Sequence, residues 1–248
     1  MSHNAHEAFM AVREQGFKMM GNEHMVMFLY PGMNPLDLVA PQYLFASMMG
    51  AKIYLISSNN DLQPVSSGGG LAILPTHTWG ECYAKPDVLF LPGGAQGTLE
   101  VMKNTLFIDF IKNKAPVSKY ITSVCTGSLI LGKAGLLKGK RATSHWVTLD
   151  MLAKQGAIPV NERVVWDTLS GTNGKIVTGG GVTAGIDFGL EIVAALRGKT
   201  YAEAIQLEAE YNPKPPFNAG SPDTASPFVR DNLKNIYAPF LVDLVSVL

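Results

Sequence analysis

The sequence predicts an α/β protein, with a mostly parallel sheet carrying helices on both faces. Three observations carry this. Short apolar runs alternate with segments of helical period, the pattern of repeated strand–helix units. The first run, Met25 to Tyr30, is apolar throughout, as expected of a strand covered on both faces. No internal repeat or low-complexity tract interrupts the alternation.

Met25 to Tyr30 is the first such run. A helix is expected from about Asp37 to Met49, with Pro41 early enough to be tolerated. Residues 52–57 read as the second strand, and Ser67-Gly68-Gly69-Gly70 between two short extended runs predicts a hairpin. Asp87 to Leu91 is a strand and residues 97–114 are helical. Tyr120 to Val124 is the next strand, leading into a helix over Thr126 to Leu131. Residues 146–155 are expected to be helical, 163–167 and 175–178 extended, and 183–197 a long apolar helix. Prolines at 213, 215, 216, 222 and 227 make residues 212–227 extended and irregular. Phe228 to Leu248 reads as a helix interrupted at Pro239, packing on the body or on a second subunit. Residues 1–23, where His3, His6, Glu7, Arg13 and Lys18 mix with scattered apolar positions, read as an N-terminal extension, either a short amphipathic helix or disordered. Residues 24–226 are thus expected to be one α/β domain, with residues 227–248 a helical tail.

Apolar residues are 47% of the 248 and charged residues only 16%, below the usual quarter. Twenty basic side chains balance twenty acidic ones, which argues against a nucleic-acid partner and against disorder. No run approaches the ~18 apolar residues of a membrane span, and the N-terminus lacks a signal-peptide core, so no membrane partner is expected. Two cysteines, Cys82 and Cys125, make no disulfide framework, and a cytoplasmic location is expected. The histidines and cysteines show no metal-ligand spacing, so no metal is expected.

In a parallel sheet the C-terminal strand ends share one edge, and ligands bind there. Four groups of polar residues follow predicted strands: Asp37, then Gly93 and Gly94 after Leu91, then Cys125, then Ser144-His145-Trp146 after a short run at Ala142. Cys125 is the sharpest. Ser123-Val124-Cys125-Thr126-Gly127 has the form of a strand–nucleophile–helix turn, with Gly127 two residues beyond the apex. Such a turn sets the sulfur over a helix N-terminus, whose N–H groups and dipole favour thiolate. The Thr126 N–H becomes an oxyanion donor, and Gly93 and Gly94 offer a second donor or a plain tight turn. Asp37 is a catalytic carboxyl or a helix-start acid. His145 is either the general base of a Cys–His pair or a core histidine beside Trp146. Asp187 reads most simply as an acid complementing a helix dipole. Thr178-Gly179-Gly180-Gly181 before a helix lacks the Lys-Ser/Thr of a P-loop and reads as structural. Cys82 has no framing of this kind.

Several strings resemble one known superfamily. They are Thr122-Ser-Val-Cys-Thr-Gly-Ser-Leu-Ile-Leu-Gly132, Ala134-Gly-Leu-Leu-Lys-Gly-Lys-Arg-Ala-Thr-Ser-His-Trp146, Leu36-Asp-Leu-Val-Ala-Pro41, Leu91-Pro-Gly-Gly94, Val182-Thr-Ala-Gly-Ile-Asp-Phe188 and Pro216-Phe-Asn-Ala-Gly-Ser-Pro-Asp-Thr224. The chain resembles the PfpI/ThiJ-like superfamily, a flavodoxin-like relative of the class I glutamine amidotransferases, and within it the branch that hydrates isonitriles. The likeness runs from about residue 24 to 226. It implies an enzyme converting a small-molecule isonitrile, R–N≡C, to the N-substituted formamide. Cys125 is then the nucleophile with Asp37 beside it, Thr126 orients Asp37 or water through its hydroxyl, and no cofactor takes part. It also implies a homodimer, as relatives of this type commonly are. Many members carry histidine after the cysteine and glutamate at the acid position, whereas this chain has Thr126 and Asp37, which speaks against the peptidase- and glyoxalase-like branches. The same domain serves as the sensor half of AraC-type regulators, which need a further helix-turn-helix domain of about a hundred residues. The alternatives left standing are another cysteine-dependent enzyme of the superfamily (glyoxalase, deglycase or amidase) and a ligand- or redox-sensing module.

Overall fold

The protein, described here by a computed structural model over residues 19–248, is built around one six-stranded sheet. The expectation of an amphipathic or disordered N-terminal stretch lies, for residues 1–18, outside the described residues. Strand β1 (His24–Leu29) is buried along its whole length and pairs in parallel with β2 (Lys52–Ser57) on one side and β5 (Val88–Leu91) on the other. β6 (Tyr120–Val124) and β10 (Lys175–Gly179) continue the parallel set, and β9 (Val164–Thr168) closes the edge antiparallel to β10. The order is β2-β1-β5-β6-β10-β9. The central strands are largely apolar because both faces are covered, each buried Leu, Ile, Val, Phe or Met contributing about 1.5–3 kcal/mol, while β6 and β10 also bury Thr122, Ser123 and Thr178. Outside this sheet, β3 (Val65–Ser66) and β4 (Ala72–Ile73) form the predicted hairpin, and β7 (Arg141–Ala142) pairs with β8 (Ile158–Pro159).

The helices fall into two groups. Helix α1 (Pro35–Ala46) packs on α6 (Ala184–Arg197), which in turn packs on α7 (Lys199–Glu208). Helices α2 (Ala95–Met102), α3 (Thr105–Lys114) and α4 (Gly127–Lys133) pack on one another, with α8 (Pro227–Val247) against α2. The short α5 (Met151–Lys154) leans on α4. At the end of α6 the buried Arg197 guanidinium bonds Glu23 at 2.6 and 3.1 Å and the carbonyls of Met19 and Met49 at 3.0 and 2.8 Å. This ties residues 19–23 to the body.

Four expectations are corrected. Residues 97–114 are two helices, because Asn104 leaves the helical path to cap Phe107 N–H at 3.1 Å. Residues 146–150 are turns, closed by the Thr148 N–H and hydroxyl on the His145 carbonyl, and only Met151–Lys154 is helical. Helix α7 has no counterpart in the sequence reading; Gly198, with φ of +92°, breaks it from α6. Helix α8 runs unbroken through Pro239. Pro239 lies on the exposed side, where water replaces the bond it denies the Asn235 carbonyl. The inward side of α8 carries Tyr237, Phe240, Leu241 and Leu244 at helical spacing.

Candidate active site

The ends of β1, β5, β6 and β10 converge on Cys125. Its φ of +59° is a left-handed conformation that costs a side-chain-bearing residue about 1–3 kcal/mol. The neighbouring strand holds it there: Cys125 N–H donates to the carbonyls of Gly179 and Gly180 at 3.1 and 2.9 Å. The hydroxyls of Ser128 and Ser144 donate to the Cys125 carbonyl, each at 3.2 Å. Gly127 follows because a Cβ at that position would collide with the Leu91 carbonyl oxygen. The sulfur, nearly enclosed, receives the N–H groups of Thr126 and Val182.

Asp37 enters from the first turn of α1, where Asn34 caps the helix by accepting the Leu36 N–H. Its carboxyl is fully buried. Oδ2 accepts the Gly93 N–H at 3.0 Å, while Oδ1 has no nitrogen or oxygen partner, and the carboxyl interacts with the Cys125 thiol. Loss of solvent raises Asp37 to a pKa of about 7, against the pull of the thiol and the Gly93 N–H. The same burial, with the Asp37 charge second, pushes the Cys125 thiol well above its ordinary value. Against the expected helix-end preference for thiolate, which the N–H groups of Thr126 and Val182 supply, stand desolvation and the neighbouring carboxylate, and these push the thiol up.

The Gly93 and Gly94 N–H groups, read from the sequence as a second oxyanion donor or a plain tight turn, are already committed. Gly93 donates to Asp37, and Gly94 donates to Thr126 Oγ1 at 2.9 Å. The Thr126 hydroxyl, expected to orient Asp37 or water, points elsewhere. Tyr30 donates its hydroxyl to the Pro92 carbonyl at 2.7 Å, and a carbonyl only accepts. Its 3.1 Å contact with Thr98 must then be donated by Thr98, and the 2.7 Å Thr98–Thr126 contact by Thr126. The chain starts at Gly94 N–H, passes through Thr126, Thr98 and Tyr30, and ends on Pro92, two residues from its origin. Burial holds the Tyr30 phenol well above its ordinary value, so it stays a donor.

His145 lines the cavity above Cys125, its ring 5.9 Å from those of both Trp146 and Tyr237. Among the described residues no hydrogen bond joins it to Cys125; its Nδ1 faces Val147 N–H at 3.4 Å, and burial lowers its pKa. Trp146 lines a separate small cavity with Gly220 and Leu233. Asp187 stands outside the active-site cavity, paired with Arg163 and accepting the Tyr211 hydroxyl at 3.1 Å. Cys82 is buried near Tyr83, far in the fold from any strand end at this edge. The described residues contain no cluster of His, Cys, Asp and Glu suited to a metal ion.

Tyr30, Thr98 and Val182 were not singled out from the sequence. Tyr30 and Val182 follow strands at the active edge, so the strand-end rule, applied to aromatic and backbone groups as well, would have reached them. Thr98, inside a helix, carried no local signal.

A parallel α/β sheet with a cysteine at a strained strand–helix turn and a buried acid against it defines the class of cysteine-nucleophile α/β proteins. The DJ-1/PfpI family profile matches residues 23–195, and the chain belongs to this family. Isonitrile hydratase from Pseudomonas putida is 46% identical over 213 residues, 86% of this chain and 89% of that protein. The structure of a ThiJ/PfpI family protein from Pseudomonas syringae is 49% identical, covers 95% of this chain and 94% of its own, and superimposes with a TM-score of 0.89. Drosophila melanogaster DJ-1beta, at 22% identity and a TM-score of 0.67 over 78% of this chain and 100% of its own, shares the fold.

Proposed function

We propose that the protein is an isonitrile hydratase, adding water to R–N≡C to give R–NH–CHO with Cys125 as nucleophile and Asp37 as general acid–base. The observation that carries this reading is the 46% identity to the Pseudomonas putida enzyme over nearly the whole of both chains. The buried Cys125–Asp37 pair suits the chemistry. The terminal carbon of an isonitrile must accept both a nucleophile and a proton, so thiol and acid have to address one atom. The Asp37 carboxylate takes the thiol proton and passes it to that carbon as sulfur bonds to it. Net addition of S–H leaves a thioimidate, R–N=CH–S. Asp37 then takes a proton from water as the oxygen adds to carbon and hands that same proton to the imine nitrogen, giving R–NH–CH(OH)–S and a free carboxylate. The tetrahedral adduct collapses: the C–S bond breaks, the C=O bond forms, and the hydroxyl proton returns through Asp37 to sulfur. The N–H groups of Thr126 and Val182 face the departing sulfur and stabilise its charge. No cofactor enters the sequence of steps. General acid–base help of this kind is typically worth about 10²–10⁴-fold.

The protein is further read as a cytoplasmic homodimer. Among the described residues no helix is long and apolar enough to cross a membrane. Leu36, Val39 and Tyr43 on α1 and Ile236 and Val242 on α8 are exposed apolar side chains of the kind a second copy covers.

The test is formamide production from cyclohexyl isocyanide by purified protein. Cys125→Ala is expected to abolish turnover with the fold intact, and Cys82→Ala to be nearly silent. More than a few per cent of activity left in Cys125→Ala would rule out covalent catalysis. Lactate from methylglyoxal without any formamide would replace this reading with a glyoxalase.

A further inference from the structure

We infer that the C-terminal helix α8 sets substrate choice: Tyr237 and Phe240 form the wall against which the R group packs, and the substrates are isonitriles with bulky, apolar, uncharged R groups. This rests on the isonitrile reading. The cavity above Cys125 has a volume of about 420 Å³, well within the range of small-molecule sites. The reacting N≡C unit occupies only a small part of it, and the remainder suits a ring. Beyond Cys125 and Thr126 its side-chain lining is mainly Pro35, Val147, Val182, His145, Tyr237 and Phe240, with Asn34 and Thr148 adding uncharged polar groups. Among the described residues no Lys, Arg, Asp or Glu lines it, and the nearest charge, Asp37, sits behind Cys125 and is engaged by Gly93 N–H, so an anionic R group would lose water and find no counter-charge. His145, which burial keeps neutral, supplies none.

Tyr237 and Phe240 stand three positions apart on the inward side of α8, their rings 6.4 Å apart, with the Tyr237 ring 5.9 Å from that of His145 and tilted 51° to it. Leu244 one turn on is fully buried and fixes the helix at that depth. The family profile ends at residue 195, so Cys125 and Asp37 belong to the shared family body while this wall comes from beyond it. The chemistry lies in the family body, and α8 adds two aromatic rings to a cavity that the body otherwise lines.

Steady-state kinetics with cyclohexyl isocyanide, ethyl isocyanide and isocyanoacetate test this. Wild type is expected to prefer cyclohexyl over ethyl isocyanide by about tenfold or more in kcat/KM, a contact difference of several methylenes. It should prefer ethyl isocyanide over the similarly sized anion isocyanoacetate by about tenfold or more. Tyr237→Ala and Phe240→Ala each lower the cyclohexyl-to-ethyl ratio about tenfold, chiefly through KM, and Tyr237→Phe keeps it. Tyr237→Leu and Phe240→Leu, which retain apolar contact with the body, give the same direction if an alanine variant does not fold. An unmoved ratio in folded variants, or isocyanoacetate used as well as ethyl isocyanide, overturns the inference while leaving the hydratase standing. A wild-type protein that yields no formamide from any of the three overturns the hydratase reading itself.

Discussion

Asp37 carries a cost that can be measured apart from its chemistry. Its folded pKa of about 7 lies above the ordinary 3.8, so the folded state binds the proton more tightly than the unfolded chain does. Below pH 4 both states are protonated and nothing is lost. Between pH 4 and 7 only the unfolded chain ionises, stability falls with rising pH, and above 7 the full cost is present. Asp37→Asn is therefore expected to lower kcat by about 100-fold or more, since an amide donates no carboxylic proton. Its thermal midpoint should overtake that of wild type as pH rises from 4 to 7, with the margin constant above. Calorimetry across that range checks the sign; a variant less stable than wild type at pH 8 would mean the carboxylate is better solvated than its burial indicates. Tyr30→Phe removes the last donor of the hydroxyl ring and leaves the buried Pro92 carbonyl unpaired. We expect a stability loss of about 1–3 kcal/mol by urea unfolding. The acid limb of the kcat–pH profile should also move, because the Gly93 N–H that holds Asp37 Oδ2 sits inside the segment the ring closes. At this scale Cys125 and Asp37 were legible because position after a strand is a local property. The protonation of the pair and the direction of the ring were not, because they depend on burial and on partners far along the chain, 68 positions apart within the ring itself.

Two turns meet at the site: the one between β5 and α2, and the one between β6 and α4. A Cβ on Gly93 would lie 2.5 Å from the Thr126 backbone nitrogen and 2.7 Å from the Cys125 Cβ, so the turns touch backbone to backbone. Gly93→Ala must push them apart. We expect kcat/KM to drop about 100-fold or more, since misplacement of about 1 Å is enough for that, with about 1–3 kcal/mol lost from stability. Kinetics beside urea unfolding measure both, and wild-type activity in this variant would show that the approach is not needed. The alternation of strands and helices was readable because the buried parallel strands are short, mostly apolar runs set between segments of helical period. The break at Asn104 was not, because an asparagine in a helical pattern declares itself a cap only when its side chain has turned onto Phe107. Pro239 misled in the other direction: a proline on the wet side of a helix leaves its unpaired carbonyl to water, and the apolar pattern around it wins. The helix over residues 199–208 has a narrow apolar face of Tyr201, Ala202 and Ile205, too little periodicity to stand out beside α6.

At the scale of the molecule, sedimentation equilibrium at micromolar concentration is expected to give twice the 26.7 kDa chain mass. A single-chain mass would mean that the exposed apolar residues of α1 and α8 serve another end. The quaternary state was not legible from composition, since apolar residues scattered on a surface are ordinary and only their grouping on two helices draws notice. The sheet order has a different consequence. Asp37 meets Gly93 across 56 positions, and Thr98 meets Thr126 across 28. The first half of the chain can collapse into β1, β2 and β5 and hold Asp37 in place with no nucleophile opposite it, because β6 joins later and the cavity wall joins last. On a ribosome, where the chain emerges from its N-terminus, the carboxyl waits for the thiol. The Cys125 N–H needs the Gly179 and Gly180 carbonyls and the sulfur needs the Val182 N–H, so a nascent chain holds no complete reactive centre until residue 182 has been made.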